Sequence, residues 1–263
     1  MRNILEKFKE GVISLEDAQI EIEKTAFDTM KLQYVDKLAK LDLSREQRTG
    51  IPEVILAQGK KEEWVERLLF EMAKEKGRGI ASKVNPKLAE KLGQRIPEGF
   101  VGEIHIDAGM VIVKKSDYVT AKTGGRIGLL TAGTADISIA EEARIFATEM
   151  GCEVFYEYDA GIAGIHRTLE ALEVLSKADV DVIIVVAGMD AVLPITVRGL
   201  VNLPVVGVPS SVGYGFGDKG LAPLMTMLQS CSPGLTVVNI DNGFGAASFA
   251  ALVANRIAKY RSV

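Results

Sequence analysis

Val182-Ile-Ile-Val-Val-Ala-Gly-Met-Asp-Ala-Val-Leu-Pro194 is the stretch on which the fold turns. Its first five residues are an unbroken Val/Ile run with no polar alternation. A strand of that composition is covered on both faces, as in a parallel sheet flanked by helices. Gly188 breaks the run, and residues 191–200 then read as a helix. The same grammar recurs on either side. Arg126–Leu130 is a strand followed by Thr131-Ala-Gly-Thr-Ala-Asp136 and a helix over Ile139–Met150. Cys152–Tyr158 precedes a helix near Ile165–Ser176. Val205–Val208 precedes Leu221–Gln229, and Leu235–Ile240 precedes Ala246–Ala258. Five such units with right-handed crossovers predict a parallel five-stranded α/β sheet over residues 123–263.

Residues 1–122 are charge-rich and read as a small α+β domain. Met1–Lys9 and Leu15–Lys24 are helices, the second with an N-cap signal in Ser14 and Asp17. Tyr34–Leu43 and Val54–Leu56 read as short strands around a polar turn, Ser44–Gly50. Glu62–Lys76 is a helix with Trp64, Leu68, Leu69 and Met72 on one side. Ile80–Val84 and Ile104–Val113 read as strands, with a short helix at Pro86–Leu92 between them. The polar, Gly-rich end of Ser116–Gly125 marks the boundary. Arg45, Arg48, Thr49, Gly50, Pro52 and Glu53 make either a phosphate cluster or a solvated turn, and the residues favour the turn. His105, alone on an alternating strand, reads as a surface or satisfied polar residue.

Composition excludes several classes. Of 263 residues, 48% are hydrophobic and 25% charged, which describes a globular chain able to bury a sizeable core. A net charge of −4 offers no footprint for nucleic acid. The longest apolar runs are strand-length, too short for a bilayer, and the N-terminus lacks a signal-peptide core. Two cysteines form no disulfide framework, so a cytoplasmic protein with free thiols is expected. Cys152 begins a strand and reads as a small core residue. Cys231 sits in a turn, Ser230-Cys-Ser-Pro-Gly234, ahead of the last strand, where an α/β fold can present a nucleophile.

In a parallel sheet the ligand lies beyond the carboxyl ends of the strands. The loop after the first strand offers Thr131, Gly133 and Thr134 at a helix start, an anion site. Its Asp136 serves either ribose hydroxyls or a helix cap, with the cap favoured by the residues themselves. The second loop carries His166 and Arg167, suited to proton transfer and phosphate binding. Asp190 ends the third strand as a metal ligand, a base or an N-cap. The fourth loop, Pro209-Ser-Ser-Val-Gly-Tyr-Gly-Phe-Gly217, offers Ser210, Ser211 and Gly213 for close backbone approach to a ligand, or is a mobile loop.

Together these loops resemble the aminoimidazole ribonucleotide carboxylase family. The matching stretches are Thr134…Asp136, Gly164-Ile-His-Arg-Thr168, Ala187-Gly…Leu193-Pro194, Gly207-Val-Pro209, Leu228-Gln229…Gly234 and Gly245-Ala-Ala247. Met189-Asp190-Ala-Val192, the thiol turn and the N-terminal unit depart from the purine enzymes. They are similar instead to the LarB family of nickel-pincer nucleotide cofactor biosynthesis, as is Arg48-Thr-Gly-Ile-Pro-Glu-Val54…Gln58-Gly-Lys60. Ala135 stands where that family's loop has Ser, and Asp190 where it has Glu.

The resemblance implies a flavodoxin-like or Rossmann-like catalytic domain and pyridinium-3,5-biscarboxylic acid mononucleotide synthase activity. Nicotinic acid adenine dinucleotide would be carboxylated with CO₂ or bicarbonate and its anhydride hydrolysed to release AMP. Cys231 would be the nucleophile, Asp190 and His166 catalytic groups and ligands of Mg²⁺ or another divalent cation, and the assembly a homo-octamer. Thr131, Gly133, Thr134, Asp136, Arg167, Ser210, Ser211 and Gly213 would bind substrate. The alternatives are a purine-type carboxylase or mutase, told apart by turnover of aminoimidazole ribonucleotide, and a non-catalytic nucleotide-binding protein.

Overall fold

The computed structural model describes residues 2–28 and 32–261. Helices α1 (Arg2–Lys9) and α2 (Leu15–Asp28) lead into a hairpin of β1 (Leu32–Val35) and β2 (Ala39–Asp42). The expected cap is present, with Asp17 N–H donating to Ser14 Oγ at 3.0 Å. The segment expected as a polar turn is instead a helix, α3 (Arg45–Thr49). Gly50 ends it with φ 75° and a backbone bond to the Glu46 carbonyl, a left-handed stop that glycine adopts without strain. Its arginines are engaged by carboxylates, Arg45 with Glu53 at 3.3 Å and Arg48 with Asp42.

Next come β3 (Ile55–Leu56), α4 (Glu62–Lys76), β4 (Arg78–Ser82), α5 (Pro86–Gly93), β5 (Phe100–His105) and β6 (Met110–Lys115). They form a sheet of order β3-β4-β6-β5, antiparallel except for β3 against β4. Residues 104–113, expected as one strand, are a hairpin: Gly109 at φ 59° closes the turn with its N–H on the Ile106 carbonyl. An apolar reading of both arms overlooked that turn. Helix α4 buries Val65, Leu68, Leu69 and Met72, whereas Trp64 stays 38% exposed beneath the Lys61 ammonium.

The second domain runs β7 (Arg126–Thr131), α6 (Ile137–Glu149), β8 (Glu153–Glu157), α7 (Ile165–Lys177), β9 (Val182–Ala187), α8 (Val192–Leu200), β10 (Val205–Pro209), α9 (Leu221–Leu228), β11 (Leu235–Val237) and α10 (Gly243–Arg261). All five strands are parallel in the order β11-β10-β9-β7-β8. Counted within the domain this is 2-1-3-4-5, the flavodoxin-like winding, with its switch point between β7 and β9. The Val/Ile run divides as a two-residue period requires. Val182, Ile184 and Val186 pack with α6 and α10, while Ile183, Val185 and Ala187 pack with α7 and α8. The last strand is three residues shorter than expected. Val238 N–H still bonds the Gly207 carbonyl, but the chain then turns at Asp241 (φ 55°) to start α10.

The two domains share a core. Ile80, Met110 and Ile112 from the N-terminal sheet are buried in one cluster with α6 and α10. Each such side chain contributes about 1.5–3 kcal/mol relative to exposure. The opposite face of that sheet, through Ala81, Val111 and Val113, packs with α4 and α5. Among the described residues no helix is long and apolar enough to cross a membrane.

Candidate active site

Thr131 ends β7 fully buried, and it ties three strand ends together. Its hydroxyl accepts Asp159 N–H at 3.0 Å, its carbonyl accepts Ala160 N–H, and the next residue, Ala132, donates to Val186 of β9. Beyond it the chain turns back on itself: Gly133 N–H donates to Asp136 Oδ2 at 3.0 Å. Asp136 therefore closes its own loop and makes no side-chain cap on α6. It is 4% exposed. Burial pushes its carboxyl above the usual aspartate range, opposed by hydrogen bonds from the Ser210 hydroxyl and from Gly133 and Gly188 N–H, and reinforced by the nearby Asp241 carboxylate. One carboxylate thus gathers the loops after β7, β9 and β10.

The gathering is close enough to demand glycine at two places. A Cβ on Gly188 would stand 2.4 Å from the Val212 carbonyl oxygen, and one on Gly161 would stand 2.5 Å from that of Ala132. Ser210 is 1% exposed and also accepts Val212 N–H at 3.1 Å. Ser211 N–H donates to Asp241 Oδ1 at 2.7 Å. Between Ser211, Gly213, Met189 and Lys219 lies a hollow of about 210 Å³.

At the end of β8, Arg167 pairs with Asp159 at 2.8 Å, and buried Thr168 donates to the Ala160 carbonyl at 2.7 Å. His166 is exposed in the first turn of α7, and Thr134 is exposed at the first loop. Asp190 and Ala191 both have positive φ, 59° and 53°. Non-glycine residues held there cost about 1–3 kcal/mol each, a strain that clusters at ligand sites. Asp190 Oδ1 accepts Val192 N–H at 3.2 Å in a local turn, but the N-cap of α8 is Ala191, so Asp190 is not the N-cap residue of that helix.

The thiol is placed differently. Cys231 is exposed on the loop between α9 and β11, which enters its strand at the amino end; the Gly234 carbonyl accepts Val205 N–H there. Its neighbours lie against α8, with Ser232 Oγ 3.4 Å from the Ile195 carbonyl and Gly234 against the Arg198 guanidinium. Among the described residues no hydrogen bond joins Cys231 to the loops at the carboxyl ends. Cys152 is buried with its thiol 3.1 Å from Asn255 Oδ1, a core residue as expected.

Sequence reasoning missed Asp241. Residues 239–243, Asn-Ile-Asp-Asn-Gly, carry turn composition before a helix, but the apolar reading of the last strand runs on to Ile240. It also gave no role to Lys83, whose Nζ bridges Glu142 Oε2 and the Asp241 carbonyl, both at 2.8 Å.

The fold and these loops define a carboxylase/mutase-related α/β protein. Residues 126–262 match the AIR carboxylase family and residues 33–115 match the LarB/PurE-like N-terminal domain. The chain belongs to the AIR carboxylase family, in the form that carries that N-terminal domain. An uncharacterized protein of Methanocaldococcus jannaschii is 42% identical over 259 residues, 97% of this chain and 96% of that one. The N5-carboxyaminoimidazole ribonucleotide mutase of the same organism is 34% identical over 127 residues, 47% of this chain and 75% of the mutase. The mutase of Pyrococcus horikoshii is 36% identical over 130 residues, again 47% of this chain and 69% of its own.

Proposed function

We propose that the protein is a pyridinium-3,5-biscarboxylic acid mononucleotide synthase acting on nicotinic acid adenine dinucleotide. The observation that carries the reading is Cys231, an exposed free thiol, on a chain whose residues 33–115 match a LarB/PurE-like N-terminal domain. A pyridinium ring is an electrophile and does not attack CO₂. Addition of the Cys231 thiolate forms a C–S bond and gives a neutral dihydropyridine whose β-carbon is enamine-like. That carbon forms the C–C bond to CO₂, a base takes the ring proton, and the C–S bond breaks to restore the aromatic ring. Cysteine fits as both nucleophile and leaving group. Water then attacks one phosphorus of the anhydride, the bridging oxygen leaves with the other, and AMP departs.

Buried Asp136, Ser210 and the N–H groups around them hold the ribose and phosphate, with Arg167 at the rim. Asp190, with one oxygen on Val192 N–H and the other available, is the ligand we assign to Mg²⁺, with His166 as proton carrier or water-mediated partner. Among the described residues no group of three or more His, Cys, Asp or Glu converges as a cage. That donor set fits Mg²⁺, which takes one or two carboxylates, waters and substrate phosphates. The cation supplies charge neutralisation of the anhydride. A homo-octamer gives a neighbouring copy's thiol loop a route to the carboxyl edge; sedimentation as a monomer would argue against it.

Mass spectrometry of protein mixed with the dinucleotide and bicarbonate tests the reading. The expected result is a carboxylated product and AMP, with product lost in Cys231→Ser; near-normal carboxylation by that variant would sink it. The purine-type reading is favoured by the mutases matched over the second half. Turnover of aminoimidazole ribonucleotide or its carboxylated forms would establish it.

A further inference from the structure

We propose that the cleft between the two domains is a second nucleoside site, holding the far nucleoside of the dinucleotide, an inference that rests on the functional reading above. The cleft has a volume of about 460 Å³ and forms where the exit of β4, the β5–β6 turn and the starts of α6 and α10 meet. It is a groove open to solvent at a domain interface, a setting small-molecule sites favour.

Asp241 joins the cleft to the strand-end site. Its side chain receives Ser211 N–H at 2.7 Å, beside the buried Ser210, and its backbone carbonyl receives Lys83 Nζ at 2.8 Å on the cleft side. A ligand long enough to pass Ser211 meets the N-terminal domain next. Lys83 is committed to Glu142 as well, at 2.8 Å, so its charge is already neutralised and the cleft is not built for another phosphate. What it presents is neutral and acceptor chemistry. Asp107 and Ser138 are exposed and suit a ribose diol, the pairing by which a carboxylate reads sugar hydroxyls in dinucleotide folds. Gln58, also exposed, offers amide donor and acceptor together for a base edge. Ile106 is 41% exposed and gives a base face an apolar surface. Gln58, Ile106 and Asp107 belong to the N-terminal domain, so a chain lacking it has half a cleft.

Calorimetry on the full-length protein tests this with two ligands, nicotinic acid adenine dinucleotide and nicotinic acid mononucleotide. The wild type is expected to bind the dinucleotide at least about tenfold more tightly, the order expected from two additional hydrogen bonds. The double variant Gln58→Ala, Asp107→Leu is expected to lose that advantage and keep its mononucleotide affinity, with an unchanged melting temperature. Equal affinities in the wild type, or full retention of the advantage by the variant, overturn the second site and leave the synthase reading standing. Binding of neither pyridine nucleotide overturns both.

Discussion

Arg78 Nη1 lies 3.1 Å from Glu149 Oε2 across the domain boundary, with both side chains 4% exposed. Lys114 reaches the other oxygen of the same carboxylate at 2.7 Å, and Arg78 extends on to Glu46 at 2.9 Å. One acidic residue at the end of α6 thus bridges two cations of the N-terminal sheet, whose more exposed partners are Glu46 and Glu103. Glu149→Leu leaves both without it in a buried setting, and a cost of about 3–5 kcal/mol is expected. Urea unfolding reads this as a lowered midpoint. Lys177→Ala, at a solvent-exposed pair on α7, is expected to leave the midpoint where it is. Equal midpoints for Glu149→Leu and the wild type would refute the assignment.

Asp136 gives the stability a pH dependence of predictable sign. Burial raises its carboxyl above the usual value, so the folded chain holds that proton to higher pH than the unfolded chain does. Stability from this group is therefore lost as pH rises from about 4 through the folded value. Asp136→Asn removes the titration. The wild type is expected to lose ground against the variant between mildly acid pH and neutrality, measured as the difference in unfolding free energy. The wild type gaining instead would contradict the placement of this carboxylate.

The two thiols should separate cleanly. Burial pushes Cys152 up to about 11, against a hydrogen bond with Thr123 that lowers it. Cys231 is exposed. Iodoacetamide at pH 8 is expected to label the native protein once, at Cys231, and to label Cys152 only after denaturation. Since the thiolate is the reacting form, native labelling of Cys152 at a comparable rate would show that its pocket opens.

Asp190→Ala is expected to abolish AMP release or uncouple it from carboxylation; it leaves the backbone at φ 59°, a conformation alanine adopts less readily than aspartate. EDTA should lower AMP formation in the wild type. Undiminished AMP formation in EDTA would count against the metal role of this carboxylate.

Much of the site was readable because loops at strand ends are local in sequence. Thr131, Gly133 and Asp136 fall within six residues, and Ser210, Ser211 and Gly213 within four. The end of the last strand was misplaced, because Val238 and Ile240 continue the apolar run past Val237 and outweigh the turn composition of residues 239–243. Trp64 belongs to the helical stripe read from the sequence, but a stripe does not say how deeply each side chain is buried, and Trp64 stays 38% exposed with Lys61 over its ring.

By itself the sequence determined the parallel α/β domain, since continuous Val/Ile runs alternating with amphipathic segments are satisfied by few arrangements. It also pointed to the loops at the carboxyl ends of the strands as the candidate site. The tertiary structure decided the strand order 2-1-3-4-5, and with it that Asp136, Gly188 and Ser210 converge. It decided that the N-terminal sheet shares the core of α6 and α10, closing a cleft beside Asp241. It also put Cys231 on a loop entering β11 at its amino end. Each of these depends on pairings between residues far apart in the chain, set by burial and hydrogen bonding that no local pattern encodes.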